Sequence, residues 1–160
     1  MIGGSEGLGF QQVAGGLELG RINIAARGAG MAKGATDKAL AYAMERKTFG
    51  KAIAEHQAIQ LKLAEMSTRA AASALLVEQA ANKYDRGERC DLEAGQAKFF
   101  ASESAVQNSL DAMRIFGGYS YSPEYEIERF YRDAPLLCIG EGTNEIQRMI
   151  IAKQMVARAS

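Results

Sequence analysis

The chain has 160 residues, enough for one domain of ordinary size. Nineteen Lys and Arg balance nineteen Asp and Glu, so there is no charge footprint for nucleic acid or an acidic membrane surface. No run approaches the roughly 18 apolar residues of a membrane span, and a single histidine, His56, argues against a His-based metal site. The two cysteines, Cys90 and Cys138, follow no spacing pattern, and no stretch reads as a signal peptide. They read as reduced thiols of a cytoplasmic protein, or of a mitochondrial matrix protein in a eukaryote. Two prolines and abundant alanine favour long helices.

Residues 1–9 are glycine-rich and read as a linker-like lead-in from upstream domains, with the domain proper spanning 10–160. A first long helix is predicted from about Phe10 to Arg46. Ile24, Gly28, Met31, Ala35, Ala39, Tyr42 and Ala43 recur on it at helical spacing. Ala25, Ala26, Gly28, Gly30 and Gly34 would let a neighbour approach it closely. Thr48-Phe49-Gly50-Lys51 breaks the pattern. A second helix runs from about His56 to Arg86, with Ile59, Leu63, Met66, Ala70, Val77 and Ala81 on one face. Gly87 sits where a left-handed glycine cap belongs.

Asp91 is a good N-cap for a third helix reaching about Phe116, with a stripe of Phe99, Val106, Leu110 and Met113. Gly117-Gly118 ends it. A short helix around Glu124–Arg132 is stopped by Pro135, and 134–143 follow as an apolar loop. The last helix starts at Thr143, its expected N-cap, with Ile146, Met149, Ile150 and Met155 on the buried side. Met31, Met66 and Met113 also read as core. There is no internal repeat, low-complexity tract or strand alternation. The expected fold is all-α, an up-down bundle of the four-helix type with long antiparallel helices. Its fourth element must come from the last two helices together, or from a second chain.

One carboxylate stands out. Glu141 lies between Gly140 and Gly142, after Leu136, Leu137, Cys138 and Ile139. If that loop is buried, desolvation raises its pKa toward general-base range. The plainer alternative is a glutamate in a surface turn, favoured by the dipole of the helix that follows.

Residues 139–148, Ile-Gly-Glu-Gly-Thr-Asn-Glu-Ile-Gln-Arg, resemble the acyl-CoA dehydrogenase signature Glu-Gly-Thr-x-x-Ile-Gln-Arg. Three further blocks resemble that family in the same order. They are Leu-Glu-Leu-Gly-Arg at 17–21, Glu-Arg-Lys-Thr-Phe-Gly at 45–50 with His56-Gln57, and Arg-Ile-Phe-Gly-Gly-Tyr-Ser-Tyr at 114–121 with Tyr-Arg-Asp-Ala at 131–134. The family's complete enzyme has an N-terminal helical domain, a middle β domain and a C-terminal bundle, and this chain resembles only the bundle.

The resemblance implies an FAD-dependent oxidoreductase that oxidises fatty or branched-chain acyl-CoA thioesters and passes electrons to an electron-transfer flavoprotein. It implies that Glu141 takes the α-proton while a hydride leaves the β-carbon for the flavin. The Glu141 amide would help hold the thioester oxygen. Some relatives carry the base on the first bundle helix, where this chain has Gly20. Glu18, Arg21 and Gly142 resemble substrate-side residues, with a surface ion pair as the alternative for Glu18 and Arg21. Arg46, Thr48, Phe49, Gln57, Arg114, Gly117, Gly118, Thr143 and Glu145 resemble FAD contacts.

Arg46 is also what a helix C-terminus favours, Gly117-Gly118 also a helix stop, and Thr143 also a plain N-cap. Arg114 stands where many relatives have glutamine, Ser120 replaces a common glycine, and Gly140 replaces a tyrosine of many straight-chain enzymes. Arg132 and Asp133 read as structural. The family's dimers or tetramers pack through this domain, with FAD across a subunit boundary. The bundle alone would then turn over little or nothing, and could act only as an oligomerisation module. An acyl-CoA oxidase is the other alternative.

Overall fold

A computed structural model describes residues 6–159; residues 1–5 of the expected lead-in lie outside the described residues. Five helices carry the chain: α1 (Gly9–Glu45), α2 (Gln57–Asp85), α3 (Asp91–Phe116), α4 (Ile127–Ile139) and α5 (Asn144–Ala159). Lys47–Thr48 (β1) and Lys51–Ala52 (β2) add a small antiparallel hairpin that the sequence pattern did not suggest. Its two central residues, Phe49 (φ 51°) and Gly50 (φ 81°), are both left-handed, as a tight primed turn requires.

Helix α3 is the axis of the fold and touches all four others. Arg21 meets Asp91, Gly28 meets Ala101, and the carbonyl of Ala32 meets Asn108, so α1 and α3 run parallel. Arg69 meets Asp111 and Lys83 meets Glu93, so α2 runs the other way between them. Lys98 reaches the Cys138 carbonyl at the end of α4 and Asn144 at the start of α5, while Arg158 near the end of α5 reaches Glu93. Helices α4 and α5 therefore descend α3 in succession and together form the fourth element, interrupted by the turn at 140–143.

The core is built from small residues. Ala25, Ala32, Ala35, Ala39 and Ala43 of α1 are buried, as are Ala94, Ala97, Ala101, Ala105 and Ala112 of α3. A Cβ on Gly28 would lie 2.8 Å from the Ala101 backbone, so these helices pack nearly backbone to backbone. Met66, Ile127, Ile115 and Phe116 pack in one cluster with Ala35, Ala39, Ala43 and Ala112. Polar ties cross the interior. The Asn108 amide donates to the Ala32 carbonyl (3.1 Å) and the Met66 carbonyl (2.9 Å), and its oxygen accepts from Arg69 (2.7 Å). One side chain thus links α1, α2 and α3.

Gly87 (φ 72°) closes α2 as expected: its N–H bonds Tyr84 O and the N–H of Glu88 bonds Lys83 O. Four expectations are corrected. Asp91 is the first residue of α3 rather than its N-cap, because its carboxylate is engaged by Arg21 and Arg89. The stripe Phe99, Val106, Leu110 and Met113 is only half-buried, since contacts on several sides of α3 select small and polar residues instead. Pro135 lies inside α4, which continues to Ile139. The bond it cannot make is to Tyr131 O, on an exposed part of the helix, while Ile127, Ala134 and Leu137 keep one buried face. Finally, Ile146, Met149 and Met155 are exposed. Helix α5 turns Asn144, Gln147 and Ile151 toward α3, so its buried face is rotated from the apolar one.

Glu93 joins three helix ends, accepting from Lys83 (2.8 Å) and from both terminal nitrogens of Arg158 (2.8 and 3.0 Å). Arg158, followed by Lys83, holds its carboxyl down at about 2, from an ordinary 4.5. A lowered folded pKa gives stability that is full above about 4.5 and lost as pH falls toward about 2. Allowing for the exposed Arg158, the loss is about 2 kcal/mol. Urea midpoints across that range should show it, and Glu93→Gln should remove that part of the pH dependence.

Candidate active site

The interruption between α4 and α5 creates the first cluster. Gly140 caps α4, Thr143 starts α5, and Glu141 stands between them in the left-handed region at φ 55°. Among the described residues, Phe49 and Glu141 are the non-glycine residues with positive φ. A left-handed glutamate costs about 1–3 kcal/mol unless its surroundings fix it. Here Gln147 Nε2 donates to the carbonyls of Glu141 (3.2 Å) and Gly142 (3.1 Å). Glu141 is exposed, not buried within the chain, which corrects the picture of a carboxylate walled in by its own loop. Leu136 and Ile139 are also exposed, because α4 extends through them and turns them outward.

The Glu141 carboxyl lies against α1. A Cβ on Gly20 would fall 2.5 Å from Glu141 Oε2 and 2.9 Å from its Cδ, so only glycine leaves that carboxylate its place. Helix position 20 and turn position 141 therefore address the same point in space. Thr143 Oγ1 accepts from the N–H of Ile146 (3.5 Å), which makes it the N-cap. Glu145, at the start of α5, has its carboxyl held down by its own backbone N–H and by Thr143.

Glu18 and Arg21 flank Gly20 in sequence but not in space. At about 100° per residue, Glu18 falls on the opposite side of α1 and Arg21 a quarter turn away. Arg21 is 8% exposed and pairs with Asp91 (3.3 Å), while its buried Nε has no acceptor among the described residues. The alternative of a surface ion pair between Glu18 and Arg21 is not what forms: Arg21 pairs with Asp91 instead. Burial, then the neighbouring Asp91, push the Glu18 carboxyl up, and the buried Cys90 thiol faces it at 4.0 Å.

The second cluster lies at the far end of α1. A cavity of about 670 Å³ is lined by Arg46, Thr48, Gly117 and Gly118, four of the residues singled out from sequence. Gly117 (φ 62°) stops α3 there. Sequence reasoning missed the aromatic wall. Tyr42 stacks on Phe116 at 4.2 Å between centroids, Arg46 lies over the Tyr119 ring, and His56 lines the cavity with a nitrogen 3.0 Å from Thr48 Oγ1. The spacing Tyr42-x3-Arg46 and the run Gly117-Gly118-Tyr119 were the available signals.

Phe49, 97% exposed, caps the hairpin beside this cavity, its ring edge-on to His56. Gln57 opens α2 and is exposed. Arg114 is exposed too, and turns back to Asp111 (3.3 Å). Arg46 follows Gly20 by 26 residues, which along α1 is about 39 Å. No helix of the described residues is long and apolar enough to cross a membrane.

The chain is similar to known proteins over nearly its whole length. The chain is 51% identical over 140 residues to the 3-(aryl)acrylate reductase of Clostridium sporogenes, covering 88% of this chain and 37% of that protein. It is 49% identical over 153 residues to an acyl-CoA dehydrogenase of Bacillus subtilis, covering 96% and 40%. The solved butyryl-CoA dehydrogenase of Megasphaera elsdenii superposes with a TM-score of 0.93 at 40% identity, over 96% of this chain and 40% of that one. The chain thus spans about two fifths of the length of the relatives it matches. Residues 7–156 match the family model described as acyl-CoA dehydrogenase, C-terminal domain, and with the all-helical fold this places the chain in that family.

Proposed function

We propose that this domain supplies the catalytic base and part of the flavin site of an acyl-CoA dehydrogenase that also contains upstream domains. The observation that carries the reading is the contact between Glu141 and Gly20. The loop position and the helix position that bear the base in different members of the family converge on one point, and only the loop position holds a carboxylate here.

Glu141 removes the α-proton of an acyl-CoA thioester, breaking the Cα–H bond and forming the carboxylic acid. FAD, when bound, supplies the acceptor for the hydride that leaves the β-carbon. Upstream domains and substrate cover Glu141 and give it the dry setting that a carboxylate base requires. Gly142, next to the base, leaves the substrate close access to the backbone. Run backward, the same residue protonates the α-carbon, so this domain serves reduction as well as oxidation.

The far cavity fits a dinucleotide. Arg46 offers a guanidinium for a pyrophosphate, Gly117-Gly118 offer bare backbone, and Tyr42, Phe116 and Tyr119 offer aromatic faces. About 39 Å along α1 exceeds the reach of one such cofactor. Arg46 and the exposed, left-handed Phe49 therefore serve the flavin of a neighbouring copy, and the working enzyme is an oligomer. An electron-transfer flavoprotein takes up the electrons.

The test uses the enzyme with its upstream domains and FAD. Anaerobic addition of saturated acyl-CoA thioesters should bleach the flavin absorbance, and Gly20→Ala should slow that bleaching by roughly 10–100-fold by displacing Glu141. Failure of every acyl-CoA to bleach the flavin contradicts the proposal.

A further inference from the structure

The Glu141 turn is held from beneath by two buried side chains that the chemistry above does not use. Lys98 and Gln147 are both fully buried. Lys98 Nζ donates to the Cys138 carbonyl (3.1 Å), near the end of α4, and to Asn144 Oδ1 (2.8 Å), the first residue of α5. It thereby pins both ends of the interruption. Ser102 Oγ, on α3, donates to the same Asn144 oxygen (3.1 Å), and Asn144 Nδ2 donates to Glu103 (2.8 Å). Gln147 pins the middle through the Glu141 and Gly142 carbonyls. Its own Oε1 is buried beside Gly95 without a partner among the described residues, so its amide serves the turn with its donor end.

Both residues are costly. An ammonium buried among helices loses its hydration, and burial pushes the Lys98 pKa down. A methionine would fill the same space at lower cost. A left-handed glutamate at φ 55° relaxes unless it is tied.

We propose that Lys98 and Gln147 are positioning residues, which hold the interruption of the fourth helical element so that the Glu141 carboxylate stays over Gly20. This rests on Glu141 being the base. Turning both carbonyls inward to Gln147 also fixes the peptide planes that follow Glu141, and so the direction of its side chain.

The experiment compares Gln147→Leu, Lys98→Met and Glu141→Gln in the flavin-loaded enzyme with its upstream domains. Gln147→Leu and Lys98→Met should each slow flavin reduction by roughly 10–100-fold. Flavin content and KM should stay within about threefold of the parent, and the deuterium isotope effect at the α-carbon should rise, as proton abstraction alone becomes harder. Gln147→Leu keeps the test alive if Lys98→Met does not fold. Parental rates in a folded variant overturn the proposal, as do parallel losses of flavin, KM and rate, which mark a merely structural role. Slow Glu141→Gln with parental Gln147→Leu sinks the positioning role alone. Parental Glu141→Gln sinks the base assignment on which it rests.

Discussion

Replacing Glu141 by glutamine should lower the rate of flavin reduction by acyl-CoA by roughly 10³-fold, the scale of a lost general base. The amide keeps the shape that fits against Gly20 but has no basic oxygen to take the α-proton. Flavin binding should survive, because Arg46, Gly117 and Gly118 sit at the other end of α1. Stopped-flow measurement of flavin bleaching reads the effect directly. A fall of only a few-fold would remove Glu141 from the chemistry.

Gly28→Val should have the largest effect on stability, about 3 kcal/mol in urea unfolding. A Cβ there meets the carbonyl carbon and oxygen of Ala101 at 2.8 Å and the Ser102 nitrogen at 3.1 Å. Those are backbone atoms of α3, so no side-chain rotation relieves the clash and the two helices must part. Gly30→Val is the control, since a Cβ at Gly30 meets nothing within 4 Å and valine forms helix better than glycine. It should leave the midpoint unchanged or slightly raised. Equal losses in both variants would mean that close α1–α3 packing does not limit stability.

Helix positions were legible because the chain punctuates itself. Gly87 and Gly117 adopt the left-handed conformations that end α2 and α3, and the alanines of α1 recur at helical spacing on its buried side. The burial of α3 and α5 was not legible. Periodicity weighs large apolar side chains, whereas α3 is packed so closely that alanine, serine and asparagine occupy its buried faces. Ile146, Met149 and Met155 look like core by spacing, yet α5 meets α3 through Asn144, bonded to Lys98 and Ser102, and through Gln147, packed beside Gly95. Pro135 reads as a stop, but its missing bond falls on an exposed part of α4 and one buried face carries the helix past it.

The site was legible in part. Gly20 and Glu141 each stood out in the sequence, but 121 positions separate them, and only the fold brings the carboxyl against the glycine. The turn of Glu18 and Arg21 away from that face follows from the 100° step of the helix, once Gly20 is known to face the turn. The role of Lys98 depends on distances across three helices, which no local pattern encodes, whereas Gln147 lies only five and six residues past the carbonyls it holds.

The most direct test of Glu141 as the base separates proton removal from hydride transfer. The flavin-loaded enzyme with its upstream domains is incubated in deuterium oxide with an acyl-CoA analogue whose β-position has no hydrogen to give, and α-proton exchange is followed by NMR. The account predicts exchange by the parent enzyme and its loss in Glu141→Gln. Exchange at the parental rate in Glu141→Gln would contradict it.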